Sequence, residues 1–111
     1  MNQQLKDKSK LFRILHGITH VYISNDGELF KDEPTNFTGK SLWWYKNGQL
    51  KWEENFKNGE AHGKSLGWFE TGQLKYEHNY KNGNYHGKCL SWYDNGQLFY
   101  EEYWKNGELI D

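Results

Sequence analysis

Three segments of this chain are copies of one another, spaced 24 residues apart without insertion, at 39–62, 63–86 and 87–110. In register, eleven of the 24 positions are identical in all three copies. They are the Gly-Lys pair that opens each copy at Gly39, Gly63 and Gly87; Leu42, Leu66 and Leu90; Trp44, Trp68 and Trp92; and the Gly-Gln-Leu runs starting at Gly48, Gly72 and Gly96. Glu53, Glu77 and Glu101 follow, and then Lys-Asn-Gly at 57–59, 81–83 and 105–107. A unit this small cannot bury an apolar face alone, so the copies must stack and share one core. Residues 1–38 then form an N-terminal cap and residues 39–111 the repeat array.

The composition bounds what such an array does. Net charge is −1 and evenly spread: five basic and five acidic residues lie in 1–38, nine and ten in the array. No basic stripe follows a phosphate backbone, which argues against a nucleic-acid partner. Mean hydropathy is −1.10 and the apolar runs are short, so no segment reads as a membrane span. The start, Met1 to Lys8, has no apolar core of a signal peptide. With Cys89 as the single cysteine there is no disulfide framework, and the expectation is an intracellular, cytoplasmic protein, or one of a virion or its host cytoplasm. Hydrophobic residues make up only 35 %, yet six Trp, eight Tyr and six Phe are present. Disordered chains are poor in aromatics, so this balance describes a thin fold that buries a few large rings.

Within one copy, Lys40 to Lys46 and Gln49 to Phe56 are β-favouring stretches separated by Asn47-Gly48, a hairpin signal. A two-residue loop would set Trp43 opposite Trp52 and strand Leu42 and Trp44 against charged residues. A three-residue loop with Gly48 left-handed pairs Tyr45 with Gln49 and Trp44 with Leu50. It is expected to put Leu42, Trp44, Leu50, Trp52 and Phe56 on one face. The same reading gives Leu66, Trp68, Leu74, Tyr76 and Tyr80 in the second copy, and Leu90, Trp92, Leu98, Tyr100 and Trp104 in the third. A second turn at Lys57-Asn58-Gly59-Glu60 repeats the chemistry. The glycines that open each copy are read as places where a ring or backbone comes close.

The expected fold is all-β: a meander of antiparallel hairpin repeats forming an elongated, twisted, single-layer sheet. Aromatic ladders Trp44–Trp68–Trp92 and Phe56–Tyr80–Trp104 run along it. Residues 15–38 read as a degenerate repeat, with a strand from Ile18 to Ile23, a turn at Asn25-Asp26-Gly27 and a return at Glu28 to Phe30. Residues 3–14 read as one short helix, with Leu5, Phe12 and Ile14 packed over the first strand.

The cassette Gly-Lys-Ser-Leu-x-Trp, Gly-Gln-Leu-x-x-Glu, Tyr-Lys-Asn-Gly and His-Gly, in that order, resembles the variant MORN (membrane occupation and recognition nexus) repeat. The resemblance covers 39–111 well and 15–38 weakly. It implies hairpin units stacked into an extended sheet, with no catalysis by the repeats themselves. Similar bacterial proteins are commonly described as antitoxins, similar repeats abound in giant viruses, and eukaryotic arrays serve as scaffolds, dimerisation modules and phospholipid binders. The pattern breaks at the last unit, where Ile110 replaces the junction His and Asp111 stands where the next Gly would fall.

Individual positions carry little reaction chemistry. His62 and His86 are equivalent, with His78 nearby, and two imidazoles in a ladder could share a metal, but a structural hydrogen bond explains the His-Gly junction equally and no Cys or Asp joins them at ligand spacing; no metal or cofactor is expected. Glu53, Glu77 and Glu101 form a column of identical carboxylates, whereas acid–base catalysis needs two in opposed environments. Their expected role is pairing with lysine across the strands, or capping backbone amides. Cys89 stands where Ser41 and Ser65 stand, and is read as a small strand residue.

The column Tyr45, Phe69 and Tyr93, joined by Trp43 and Phe99, is the candidate partner-binding surface, since interfaces favour aromatic residues; the alternative is that lysine and glutamate side chains, or the N-terminal segment folding over, cover it. The strand Leu98 to Trp104 and the tail to Ile110 form an open edge, which invites a homodimer. The sequence reading is therefore a non-enzymatic protein-interaction module engaging another protein, of antitoxin or immunity type in its most concrete form. A structural scaffold and a peripheral phospholipid binder are the alternatives, the latter disfavoured because the Lys40, Lys64 and Lys88 ladder sits among acids.

Overall fold

The computed structural model describes residues 8–15 and 18–111. A short helix, α1 (Lys8–Ile14), precedes ten strands in one sheet. The strands are β1 (His20–Ser24), β2 (Leu29–Phe30), β3 (Gly39–Trp44), β4 (Leu50–Lys57), β5 (Glu60–Trp68), β6 (Leu74–Lys81), β7 (Asn84–Tyr85), β8 (Gly87–Trp92), β9 (Leu98–Lys105) and β10 (Glu108–Leu109). All pairings are antiparallel, in the order β10-β9-β8-β6-β5-β4-β3-β1-β2, with β7 also on β6. The body measures 42 × 35 × 21 Å, a slab one sheet thick with a helix laid on part of it.

Two turns alternate along the array. At the first, the Tyr45 N–H donates to the Gln49 carbonyl (2.8 Å), the Gly48 N–H donates to the Tyr45 carbonyl (3.0 Å), and Gly48 has φ +89°. This is the expected three-residue loop, repeated at Phe69 and Tyr93. At the second, Asn58 and Gly59 both have positive φ (+52° and +83°) between the paired residues Lys57 and Glu60. That is the type I′ hairpin that suits the right-handed twist of the strands.

The face assignment differs from the expectation. Trp44 pairs with Leu50, but Trp43 pairs with Trp52, so Lys51 is an extra residue in β4. The same bulge recurs at Lys75 and Phe99. A bulge reverses the alternation of every residue beyond it. Leu42, Trp44 and Leu50 therefore share a face with Glu53, while Trp52 and Phe56 lie on the other with Trp43. Tyr76, Tyr80, Tyr100 and Trp104 move in the same way. The two expected ladders thus lie on opposite faces. Trp44 packs on Phe12 of α1 (5.9 Å), and Tyr85 intervenes between Tyr80 (4.9 Å) and Trp104 (5.1 Å).

Each His-Gly junction is a second, wider irregularity. Phe56 pairs with Ala61 and Glu54 with Ser65, so three residues of β5 oppose Asn55 alone. The Asn55 amide spans the gap by donating to the Lys64 carbonyl, as Asn79 does to Lys88. Gly63 and Gly87 supply positive φ here (+97° and +103°), with ordinary room around them. Of the three opening glycines, Gly39 alone answers to close approach: a Cβ there would lie 2.1 Å from the Ile23 carbonyl oxygen.

The cap departs from the simple meander. Its turn has repeat geometry, with the Ser24 N–H donating to the Glu28 carbonyl and Gly27 at φ +91°. However, the strand that contacts the array is β1, paired with β3, while β2 sits at the outer edge. Residues 31–38 carry the chain across, so the degenerate repeat is reversed in order relative to the others. The strand begins at His20, and Ile18 is exposed. Leu11, Phe12 and Leu15 of the helical segment close the core over Val21, Ile23, Leu42, Trp44 and Leu50; Leu5 lies outside the described residues, as does the side chain of Ile14.

The two kinds of glycine respond differently to a methyl group. Gly39→Ala is expected to cost about 3 kcal/mol or more because backbone must move. Gly63→Ala, strained only in φ, costs about 1–2 kcal/mol. Urea unfolding of the two variants reads the difference.

Candidate functional site

The bulge sorts the side chains into two unlike surfaces. We call them the helix face, on which α1 lies, and the ring face opposite.

The ring face carries aromatic rings at every repeat over a floor of small residues, with the carboxylates of Glu54 and Glu102 among them. Ser41, Ser65 and Cys89 form the buried floor. At the first repeat His20 stacks on Trp43 (4.2 Å) and Trp43 meets Trp52 (5.2 Å). At the second, Gly67 replaces Trp43, and the Tyr76 ring lies in the space, 2.2 Å from where a Cβ would be. Tyr76 stacks on His78 (4.7 Å), whose Nε2 shares a 2.9 Å hydrogen bond with the Tyr100 hydroxyl. Burial holds the His78 pKa below its ordinary value and raises those of Tyr76, Tyr80 and Tyr100. Burial also pushes the Cys89 thiol up. The tyrosines and the thiol therefore stay protonated at neutral pH, and His78 stays neutral with one nitrogen engaged. These are contact and hydrogen-bonding groups rather than an activated nucleophile.

The column Tyr45, Phe69 and Tyr93 runs along the margin of this face, and its three members are not equivalent. Lys51 Nζ lies over the rings of Tyr45 (5.4 Å) and Trp52 (4.8 Å), and Lys75 Nζ over Phe69 (5.5 Å). The Tyr45 hydroxyl donates to the Trp68 carbonyl (2.7 Å). At the third repeat the bulged residue is Phe99 instead of lysine. Tyr93 and Phe99 form a ring pair (4.9 Å) that is 49 % and 57 % exposed. Trp43 is half-buried among its ring neighbours. Of the five candidate residues, then, the structure joins Tyr93 to Phe99, places Tyr45 and Phe69 beneath lysines, and sets Trp43 within the first repeat's aromatic stack. Sequence reasoning missed Trp52, Tyr76 and Tyr100 on this face. Their signal was the extra residue after each Gln-Leu, invisible without the register.

On the helix face, Glu53, Glu77 and Glu101 meet Lys40 (3.1 Å), Lys64 (3.4 Å) and Lys88 (4.0 Å), the cross-strand pairing expected of them. Glu53 also holds Lys8 of α1. Burial opposes the charge of Glu53, but Lys8 and Lys40 outweigh it and keep the carboxyl below its usual range. The junction histidines are structural: Nδ1 of His62 and His86 accepts the N–H of the left-handed Asn82 (3.3 Å) and Asn106 (3.1 Å). Thr38 Oγ1 does the same for Asn58 (2.9 Å). The adjacent turn glycines Gly59, Gly83 and Gly107 donate to the carbonyls of Phe37, Ala61 and Tyr85.

The MORN repeat variant family model matches residues 37–58, 61–82 and 85–109, more than half of the chain. This chain belongs to that family of repeat modules, which are generally involved in protein and membrane interactions. Each matched segment starts at the residue, Phe37, Ala61 or Tyr85, whose carbonyl accepts the N–H of a turn glycine at or just past the C-terminal end of that segment. The searches of curated proteins and of solved structures find no match.

Two outcomes check these roles. Folding lowers the Glu53 pKa, so its contribution is present at neutral pH and is lost as pH falls through the carboxylate range. Glu53→Gln is expected to cost about 1.5–3 kcal/mol at pH 7 and much less near pH 3, read by urea midpoints at each pH. His62→Ala should cost about 0.5–1.5 kcal/mol, whereas His62→Thr, copying Thr38, recovers most of it in thermal unfolding.

Proposed function

We propose that this protein is a non-enzymatic protein-binding module whose partner seats on the third repeat, over the Tyr93–Phe99 pair. The replacement of a ring-capping lysine by Phe99 carries the reading. At the first two repeats a cation covers the marginal ring; at the third, two rings face solvent side by side. Paired exposed aromatics supply large contact area at small entropic cost and are enriched at the centres of interfaces. In its most specific form this is an antitoxin or immunity-type binder that acts by occluding its partner.

The edge beside this pair supports a second mode of contact. β10 pairs only with Trp104 and Lys105, so in the described residues the outer edge of β9 from Leu98 to Glu102 has no strand beside it. A partner strand, or the same edge of a second copy, can add there through main-chain hydrogen bonds. The phospholipid reading gains nothing, because the lysine ladder is already paired with Glu53, Glu77 and Glu101.

Phe99→Lys restores the arrangement of the first two repeats and should leave folding intact. In a pull-down from host lysate it is expected to lose the protein captured by wild type, as is Tyr93→Ala. Equal capture by folded Phe99→Lys sinks the assignment. Light scattering at tens of micromolar reports whether the β9 edge joins two copies, by a mass above 13.3 kDa.

A further inference from the structure

The helix face carries the same set of groups three times, and among the described residues that set is filled once. At the first repeat Leu11, Phe12 and Leu15 sit on Leu42, Trp44 and Leu50, and Lys8 binds Glu53. Lys8, Leu11, Phe12 and Leu15 are spaced i, i+3, i+4, i+7, an apolar stripe with a cation at its N-terminal end. The second repeat presents Leu66, Trp68, Leu74 and Glu77 in the same register, and the third Leu90, Trp92, Leu98 and Glu101. Coverage separates them. Leu42 is 0 % and Trp44 3 % exposed, while their counterparts at both later repeats are only partly buried and Leu98 is 49 % exposed. The acidic side chains follow the same order, at 8 %, 25 % and 39 % for Glu53, Glu77 and Glu101.

We infer that the helix face of the second and third repeats is a docking groove for an amphipathic helix of a partner protein. That helix carries a lysine or arginine three residues before an apolar stripe, as α1 does. Three observations support this occupant. The receptor residues are identical in type to those that already hold a helix in this molecule. Glu77 and Glu101 offer the carboxylate that Glu53 gives to Lys8. The dimensions also agree: one repeat is two strands wide, roughly 9.5 Å, and neighbouring helices pack about 8–10 Å apart. A helix on the second repeat would therefore lie beside α1 and gain contact with it. A second copy is disfavoured as the source, since its α1 is held on its own first repeat at the high effective concentration of a tethered segment. This groove is on the opposite side of the sheet from the Tyr93–Phe99 pair and stands or falls separately from it.

The test uses the full chain and a synthetic peptide of residues 6–17, stapled between positions 9 and 13 off the apolar stripe so that it is helical beforehand. The expected result is saturable binding, with amide and indole shifts at Leu66, Trp68 and Leu74. Leu74→Asp abolishes it. Glu77→Lys weakens it about five-fold, and a peptide bearing Lys8→Glu recovers the loss. Phe99→Lys leaves it unchanged. No saturable binding up to about 1 mM, a −4 kcal/mol interaction, would overturn the inference. So would shifts confined to Leu42 and Trp44, which mark exchange with α1, or shifts on the ring face at Trp43 and Trp52. Self-association of the unliganded chain that Leu74→Asp dissolves would place a second copy in the groove, and overturns the partner assignment.

Discussion

One residue in each repeat, Lys51, Lys75 or Phe99, has no partner on the neighbouring strand, and both faces of the protein follow from it. Without that extra residue the large rings after the turn would join Leu42 and Trp44 on a single apolar face, leaving the other polar. With it, Glu53 and its equivalents are brought beside the leucines, and the rings cross to the far side. Both faces then carry apolar mass, which is how a sheet one layer thick stays ordered with a low hydrophobic content. The bulged side chain itself lands against the marginal ring, so the same irregularity builds the surface on which the third repeat differs.

Stability is distributed along the edge of the stack as well as across it. Every type I′ turn donates two backbone N–H groups to the preceding unit: one to the side chain of Thr38, His62 or His86, the other to the carbonyl just before it. Neighbouring units are thus joined at their turns as well as along their strands. The consequence is a one-dimensional object, in which each repeat depends on its neighbours. The N-terminal cap ends it by reversing strand order and laying α1 over the first helix-face groove, where the Glu53 cluster with Lys8 and Lys40 fixes the contact.

Much of this was legible in the residues. The period, both turn types, the positive-φ glycines and asparagines, the Lys–Glu column and the structural role of the junction histidines all follow from local chemistry repeated three times. The three-residue loop at Gly48 was recoverable because only that loop pairs Trp44 with Leu50. The bulge at Lys51 was not, since no residue at 49–52 marks a break in the alternation. Lys51, Lys75 and Phe99 occupy one column of the alignment, so the departure of Phe99 was visible, but its meaning was not: nothing in the sequence says that a lysine there lies over a ring. The opening glycines are one class in the sequence, and the structure divides them into Gly39, pressed against the Ile23 carbonyl, and Gly63 and Gly87, which supply a backbone angle.

The sequence by itself determined that this protein is a stack of similar hairpins, because a 24-residue repeat with two glycine turns has few other ways to satisfy its backbone and bury its rings. Only the tertiary structure decided which rings share a face, which are capped, and where the stack is covered. Those depend on a one-residue shift of register and on the docking of a distant helix. Both are set by contacts between strands and across the sheet, where spacing along the chain carries no information.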